Sequence, residues 1–216
     1  MLELGLKVLM AYLLGSVVGA LAIGQLRGVD IRTMGSGNAG GTNALRTQGF
    51  GFAAGTVVID VGKGWVAAGW LPAFAIPGVV ADPVVGRDWL AVSCAAAAVA
   101  GHVWPLWHDF RGGKGGATLA GVLLALAPVL LAVAAGAWLV VVTLSGFVGL
   151  ATVAAAASVP IAAWAVAPDS FPLLSFGVVI AALVAWAHRG NLARIRNGTE
   201  PHADRIWLLR PRKAPR

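Results

Sequence analysis

The chain has 216 residues, 58% of them hydrophobic and 12% charged, with a formal net charge of +7. A soluble domain of this length has no interior large enough for so much apolar surface, so the composition makes the bilayer the solvent. A single cysteine, Cys94, excludes an intrachain disulfide, and four histidines without C-x-x-C or H-E-x-x-H spacing give no reason to propose a metal site.

The first apolar run is Leu4–Gly24. Ala20-Leu21-Ala22 resembles a signal-peptide cleavage site, but Glu3 spoils the positive leader and the run is long for one, so it reads as a retained helix. Then comes "MGSGNAGGTNALR", Met34 to Arg46, which has nothing to contribute to a hydrophobic core. Ser36, Gly37, Asn38, Gly40, Thr42, Asn43 and Arg46 instead make it a loop of backbone amides and small polar groups.

The second run, Phe50–Ala81, contains Asp60 and Lys63. Intramembrane charges are expensive and usually paired, and a spacing of three allows a local salt bridge, so the two read as a supporting pair. A third run, Trp89–Trp107, leads through "GHVWPLWHDFRGGKGGAT" into the fourth, Ala117–Leu144. Gly112, Gly113, Gly115 and Gly116 surround Lys114 just before an apolar helix. Glycines let N–H groups converge and a helix N-terminus adds positive potential, so the stretch suits an anion; the alternative is a tight turn or close helix contact. It is not a Walker A loop, because Gly115 follows Lys114 where Ser or Thr is required. His102, ahead of Trp104-Pro105 at a helix end, reads as structural.

Phe147–Ala167 and Phe171–Ala187 complete the runs, and "HRGNLARIRNGTEP" follows from His188 to Pro201. Taken alone, that stretch is an interfacial basic helix stopped at Asn197-Gly198. His188 and Asn191, three apart, share one of its faces. Glu200 and Asp204 lie beyond the stop.

Six runs of about 20 residues give about six helices on a first count. Eight of the 16 Lys and Arg residues lie from Arg189 onward, Arg27, Arg32 and Arg46 surround the opening loop, and Arg111 and Lys114 flank Gly112. The positive-inside rule puts all three regions in the cytoplasm. That requires an even number of crossings between the Gly112 loop and the tail, so one of the three runs there crosses twice. Ala117–Leu144, with 28 residues and Pro128 at its middle, is the candidate. The expectation is an all-α integral membrane protein, one domain over residues 1–216. It has about seven transmembrane helices, some short or broken, N-terminus out, C-terminus in, and a basic tail from about residue 189. The charge suits anionic membrane lipids, not nucleic acid.

In order and spacing, the stretches Gly35–Gly49, Gly101–Thr118 and His188–Pro201 resemble the three signature motifs of the bacterial acyl-phosphate:glycerol-3-phosphate acyltransferases, the PlsY family. The resemblance covers the chain to about Pro201. It implies a multi-pass enzyme of the bacterial inner membrane, working on the cytoplasmic side. Such an enzyme moves an acyl chain from acyl phosphate to the 1-hydroxyl of glycerol 3-phosphate, giving lysophosphatidate and phosphate without a cofactor. Its functional links are to the enzyme that makes acyl phosphate and to the second acyltransferase. Ser36, Arg46, Lys114, His188 and Asn191 take the catalytic places. Gly37, Asn38, Gly40, Thr42, Asn43, Gly112, Gly113 and Gly115 take the substrate- and phosphate-binding ones, and Asp60, Lys63, His102 and Glu200 support them. The chain departs from the family at Gly146 and Gly149, where a basic residue and a serine are usual.

The residues make chemical sense of that reaction. Acyl phosphate is already activated, so no covalent intermediate is needed, and no Ser–His–Asp or Cys–His set is present. Two phosphate-bearing substrates call for anion sockets and few carboxylates, as these stretches provide. The His-plus-Asp signature of other glycerolipid acyltransferases is absent, since Trp107, Gly113, Ala193 and Trp207 stand five beyond the four histidines. The competing reading is a small anion transporter or lipid-phosphate-binding protein with broken helices around a phosphate site.

Overall fold

The computed structural model describes residues 1–203 and 206–209; Asp204 lies outside them. Among the described residues every regular element is helical, and they form two compact units, Met1–Pro128 and Val129 onward.

The first unit opens with α1 (Leu2–Gly15) and α2 (Gly19–Leu26), an apolar pair bent by 51° at Ser16–Val18. The short α3 (Gly41–Gln48) follows the polar loop, and α4 (Phe50–Trp65) runs on through one π turn to Trp70. Pro72 and Pro77 lie beyond that end, so the second run makes one helix and not two. α5 (Arg87–Val103) leads into the Gly112 loop, and α6 (Gly116–Leu126) leaves it.

Helix α1 packs along α5, and α4 along α6. Both crossings are made by glycine. A Cβ on Gly121 would come within 2.8 Å of the Val61 carbonyl carbon and 3.0 Å of the Trp65 nitrogen, and Gly64 faces Thr118 in the same way. Gly101 meets the end of α1 equally closely, with a Cβ 3.0 Å from the Ser16 nitrogen. Without side chains between them the backbones touch, which replaces the hydrophobic drive that lipid cannot supply.

The second unit contains α7 (Pro128–Ser145), α8 (Val148–Val166), α9 (Phe171–Ala187) and α10 (Arg189–Arg196), with α8 packed along α9. Its helices leave Leu139, Val140, Ile161, Trp164, Val178 and Val179 exposed, the signature of surfaces that face hydrocarbon.

The doubled run does break where proline demands it, at Ala127 ahead of Pro128. Four helices are long and apolar enough to span a membrane, and counting the bent pairs α1–α2 and α9–α10 as one span each gives six. The seventh apolar piece, α6, has 11 residues and falls short of the roughly 20 needed to span. The expected seven is thus six spans by length plus one short helix, because the break at Ala127 divides the run unequally.

Gly121→Ala should lower the thermal unfolding temperature in detergent, since overpacking against backbone costs about 1–3 kcal/mol. Gly62→Ala is the control: it lies on α4 with open space around its Cβ, and should be neutral or slightly stabilising.

Candidate functional site

In the first unit the polar loop is folded around one side chain. Asn43, buried on α3, donates from Nδ2 to the carbonyls of Ile31 (3.2 Å) and Met34 (3.0 Å), and its Oδ1 accepts from the Ser36 N–H (3.0 Å). Its amide is therefore engaged in shaping the loop. Gly35 and Gly37 take positive φ (54° and 70°), where a Cβ is strained, and the Gly37 N–H closes a turn on Met34. Ser36 is thereby held exposed. Gly40 starts α3 without a side-chain cap, so the first turn's N–H groups keep their positive potential. Thr42 and Arg46, four apart on α3, are both exposed.

Two residues tie this loop to the Gly112 loop. Arg32 is the first. It pairs with Asp30 (2.9 Å) and donates from Nη1 to the carbonyls of His108 (3.1 Å) and Arg111 (3.4 Å). Hydrogen bonds from Arg32 hold the Asp30 carboxyl below its usual range, and Asp30 raises Arg32 in return. The shift is downward, so the pair's contribution is present above the ordinary carboxylate pKa and is lost only as pH falls through the lowered one. The carbonyls that Arg32 holds bracket a strained turn, because Asp109 and Phe110 both adopt left-handed φ (55° and 56°).

His102 is the second. Its carbonyl accepts the Gly113 N–H (3.1 Å), and Val103 accepts that of Gly112 (3.2 Å). A Cβ on Gly113 would lie 3.1 Å from His102 Cε1 and 3.0 Å from the Ala39 carbonyl. These two glycines therefore serve close packing between the loops, with their N–H groups engaged inside the protein. Gly115, at φ 82°, makes the left-handed entry into α6, and Lys114 sits half-buried between these fixed points.

Beneath the loops is a buried ionic cluster. Lys63 Nζ lies 3.0 Å from Asp60 Oδ1 and 2.9 Å from His102 Nδ1, and donates to the carbonyls of Gly15 (2.8 Å) and Val17 (2.7 Å). Asp60 Oδ1 also accepts the Gly19 N–H at 3.0 Å. The supporting pair expected from the spacing is present, with His102 joined to it. Sequence reasoning missed its other function, which is to satisfy the backbone where α1 breaks into α2.

A second cluster was missed altogether. Glu3, Lys7 and Arg87 form ion pairs at 2.7 Å, Lys7 also donates to the Pro72 carbonyl, and the N-terminal ammonium pairs with Asp82. The signal was available: Glu3 and Lys7 lie four apart in an otherwise apolar helix.

In the second unit, His188 lies between α9 and α10 and Asn191 on α10, both buried. His188 Nδ1 contacts the Val184 carbonyl at 2.8 Å, so that nitrogen carries the proton and Nε2 is the basic position of the neutral ring. A backbone carbonyl of α9 thus sets the tautomer. Asn191 Nδ2 donates to Glu200 Oε1 (2.6 Å), and Arg194 Nε donates to Glu200 Oε2 (2.7 Å). Gly149 makes room for this, since a Cβ there would sit 2.8 Å from that of Asn191.

Fold and site define a polytopic helical membrane protein with polar, glycine-rich loops. Residues 6–198 match the family model for glycerol-3-phosphate acyltransferases, and the chain belongs to that family. Similar proteins include the glycerol-3-phosphate acyltransferase of Thermosynechococcus vestitus, 43% identical over 92% of this chain and 94% of the relative. That of Gloeobacter violaceus is 42% identical over 88% and 90%. The crystal structure of PlsY, an integral membrane glycerol 3-phosphate acyltransferase, in its glycerol 3-phosphate form superposes with a TM-score of 0.81. It is 32% identical and covers 92% of this chain and 94% of its own.

Asn43→Ala should leave two carbonyls and an N–H of the loop without their partner. The Ile31 carbonyl, a buried orphan, costs about 1–3 kcal/mol, and the part-buried Met34 carbonyl and Ser36 N–H cost less. Catalytic activity should fall by an order of magnitude or more while helix content by circular dichroism is unchanged. Asn43→Asp, which keeps the acceptor but loses both donors, should not restore it.

Proposed function

We propose that this chain transfers an acyl group from acyl phosphate to the 1-hydroxyl of glycerol 3-phosphate, giving lysophosphatidate and phosphate. The observation that carries the reading is the loop Ser36–Arg46. It presents an exposed hydroxyl, an uncapped helix start and an arginine on a frame held rigid by Asn43, in a chain that matches the acyltransferase family over residues 6–198. Hydroxyl, N–H and cation are what a phosphate ester needs.

On this reading Ser36, Thr42, Arg46 and Lys114 bind and orient the phosphates, while His188 and Asn191 address the glycerol moiety. Catalysis is positioning of two activated partners and neutralisation of developing oxyanion charge. The leaving group is phosphate, so the enzyme need not supply a nucleophile. The hydroxyl proton passes to a phosphate oxygen of acyl phosphate. His188, anchored on the Val184 carbonyl, orients the substrate. The basic loops and tail support a cytoplasmic face of a bacterial inner membrane for this chemistry, with the N-terminus outside.

Broken helices also invite a transporter reading. At the α1–α2 break, however, the Lys63 ammonium is already engaged by the Gly15 and Val17 carbonyls and by Asp60, so that break offers no cation to a transported anion.

The test is phosphate release from acyl phosphate by the purified protein with and without glycerol 3-phosphate. Release that depends on glycerol 3-phosphate and matches lysophosphatidate formed is the expected result; no turnover rejects the reading. In the same assay Lys114→Ala should lower kcat/KM by about one to two decades, the worth of a lost charge-assisted hydrogen bond. His188→Gln separates orientation from base catalysis, because a general base contributes about 10²–10⁴-fold. A loss below that range, with a pH–rate profile of unchanged shape, is expected.

A further inference from the structure

Beyond residue 198, where the family match ends, the chain folds back onto the second unit. Gly198 turns it at φ 68°, and the Thr199 N–H closes that turn on the Arg194 carbonyl at 2.8 Å. Glu200 is then buried between Asn191 and Arg194. Three further bonds tie the segment to the end of α7 and the Gly146 turn. The Ala203 N–H donates to the Gly146 carbonyl (2.8 Å), the Leu208 N–H to Thr143 (2.8 Å) and the Trp207 indole N–H to Leu144 (3.1 Å).

Rings complete the attachment. His202 lies between Phe147 (centroids 4.3 Å apart) and Trp207 (4.2 Å, planes 7° apart). Gly146, at φ 73°, is where this stack fits: a Cβ there would come within 2.9 Å of the His202 ring and 3.0 Å of the Trp207 ring. Glycine at 146, a departure from the family pattern, thus has a partner in the tail of this same chain.

We infer that the tail, through Glu200–Ala203 and Ile206–Leu209, is a strap that positions Asn191 for glycerol 3-phosphate, with Glu200 as its pin and the Phe147–His202–Trp207 stack as its clasp. A carboxylate only accepts, so Glu200 holds the nitrogen end of the Asn191 amide toward itself and directs Oδ1 the other way. Glu200 lies outside α10, which ends at Arg196, so its place is set by the Gly198 turn before it and the clasp after it. His202 and Trp207 are positioning residues that act through Glu200. The inference rests on the proposed acyl transfer to glycerol 3-phosphate.

The experiment compares Trp207→Ala, Trp207→Phe and Gly146→Ala with the wild type in purified full-length protein, by steady-state kinetics and by hydrogen exchange at the Ala203 and Leu208 amides. Undocking should abolish amide protection in Trp207→Ala and Gly146→Ala. The KM for glycerol 3-phosphate should rise by about tenfold, with kcat and the KM for acyl phosphate little changed, as expected for lost ground-state orientation. Trp207→Phe keeps the stack and loses only the indole N–H, so it should recover most of both readouts and exclude a general folding defect. Loss of amide protection with an unchanged KM for glycerol 3-phosphate overturns the strap's role, as does an equal fall in every kinetic constant without recovery by phenylalanine. A wild type that does not acylate glycerol 3-phosphate overturns the reaction itself and with it that role, while amide protection still reports whether the tail docks.

Discussion

An ammonium group inside an apolar helical bundle must find oxygen, and a helix broken inside that bundle must find donors for its carbonyls. Lys63 answers both demands at once. Its ammonium lies among the Gly15 and Val17 carbonyls, Asp60 and His102, and Asp60 takes the Gly19 N–H that begins α2. A buried ion pair alone is weak evidence of stability, because desolvation opposes its Coulomb attraction. Here it supplies specificity, since the α1–α2 bend is satisfied only when α4 and α5 stand where they do.

The loops inherit that precision. His102 belongs to the cluster through its ring and to the Gly112 loop through its carbonyl, and Gly113 brings that loop against the ring and Ala39. Arg32, paired with Asp30 ahead of the first loop, reaches the second through the His108 and Arg111 carbonyls. Ser36, Thr42, Arg46 and Lys114 therefore stand on loops held in place by Asn43, Arg32 and the His102 carbonyl. An anion site needs such rigidity, since donors that must reorganise at the moment of reaction contribute little.

The second unit uses a different device for the same end. His188 is anchored on a carbonyl of its own helix, and Asn191 on a carboxylate that the chain brings back from beyond α10. Gly149 opens the space that α10 needs. Loss of side chains at 146 and 149 looks, in sequence, like loss of function. In the structure each is a fit between backbone and a neighbouring side chain.

By itself the sequence determined the solvent, the helical class, the break at Pro128 and the three polar stretches, because apolar run length, proline chemistry and glycine-rich composition are local properties. The Asp60–Lys63 pair was legible for the same reason, lying within one helical turn. Only the tertiary structure decided that Asn43 shapes its loop, that Gly112 and Gly113 pack against the end of α5, and that Lys63 fills the bend between α1 and α2. It also decided that α6 falls short of membrane length, and that the His188 tautomer is set by Val184. Glu3, Lys7 and Arg87 show the division within one cluster: the first two are four residues apart, whereas Arg87 reaches them only after 80 residues of chain have folded. Such partners are chosen by which buried oxygen is left without a donor once the helices have packed, and no local pattern records that.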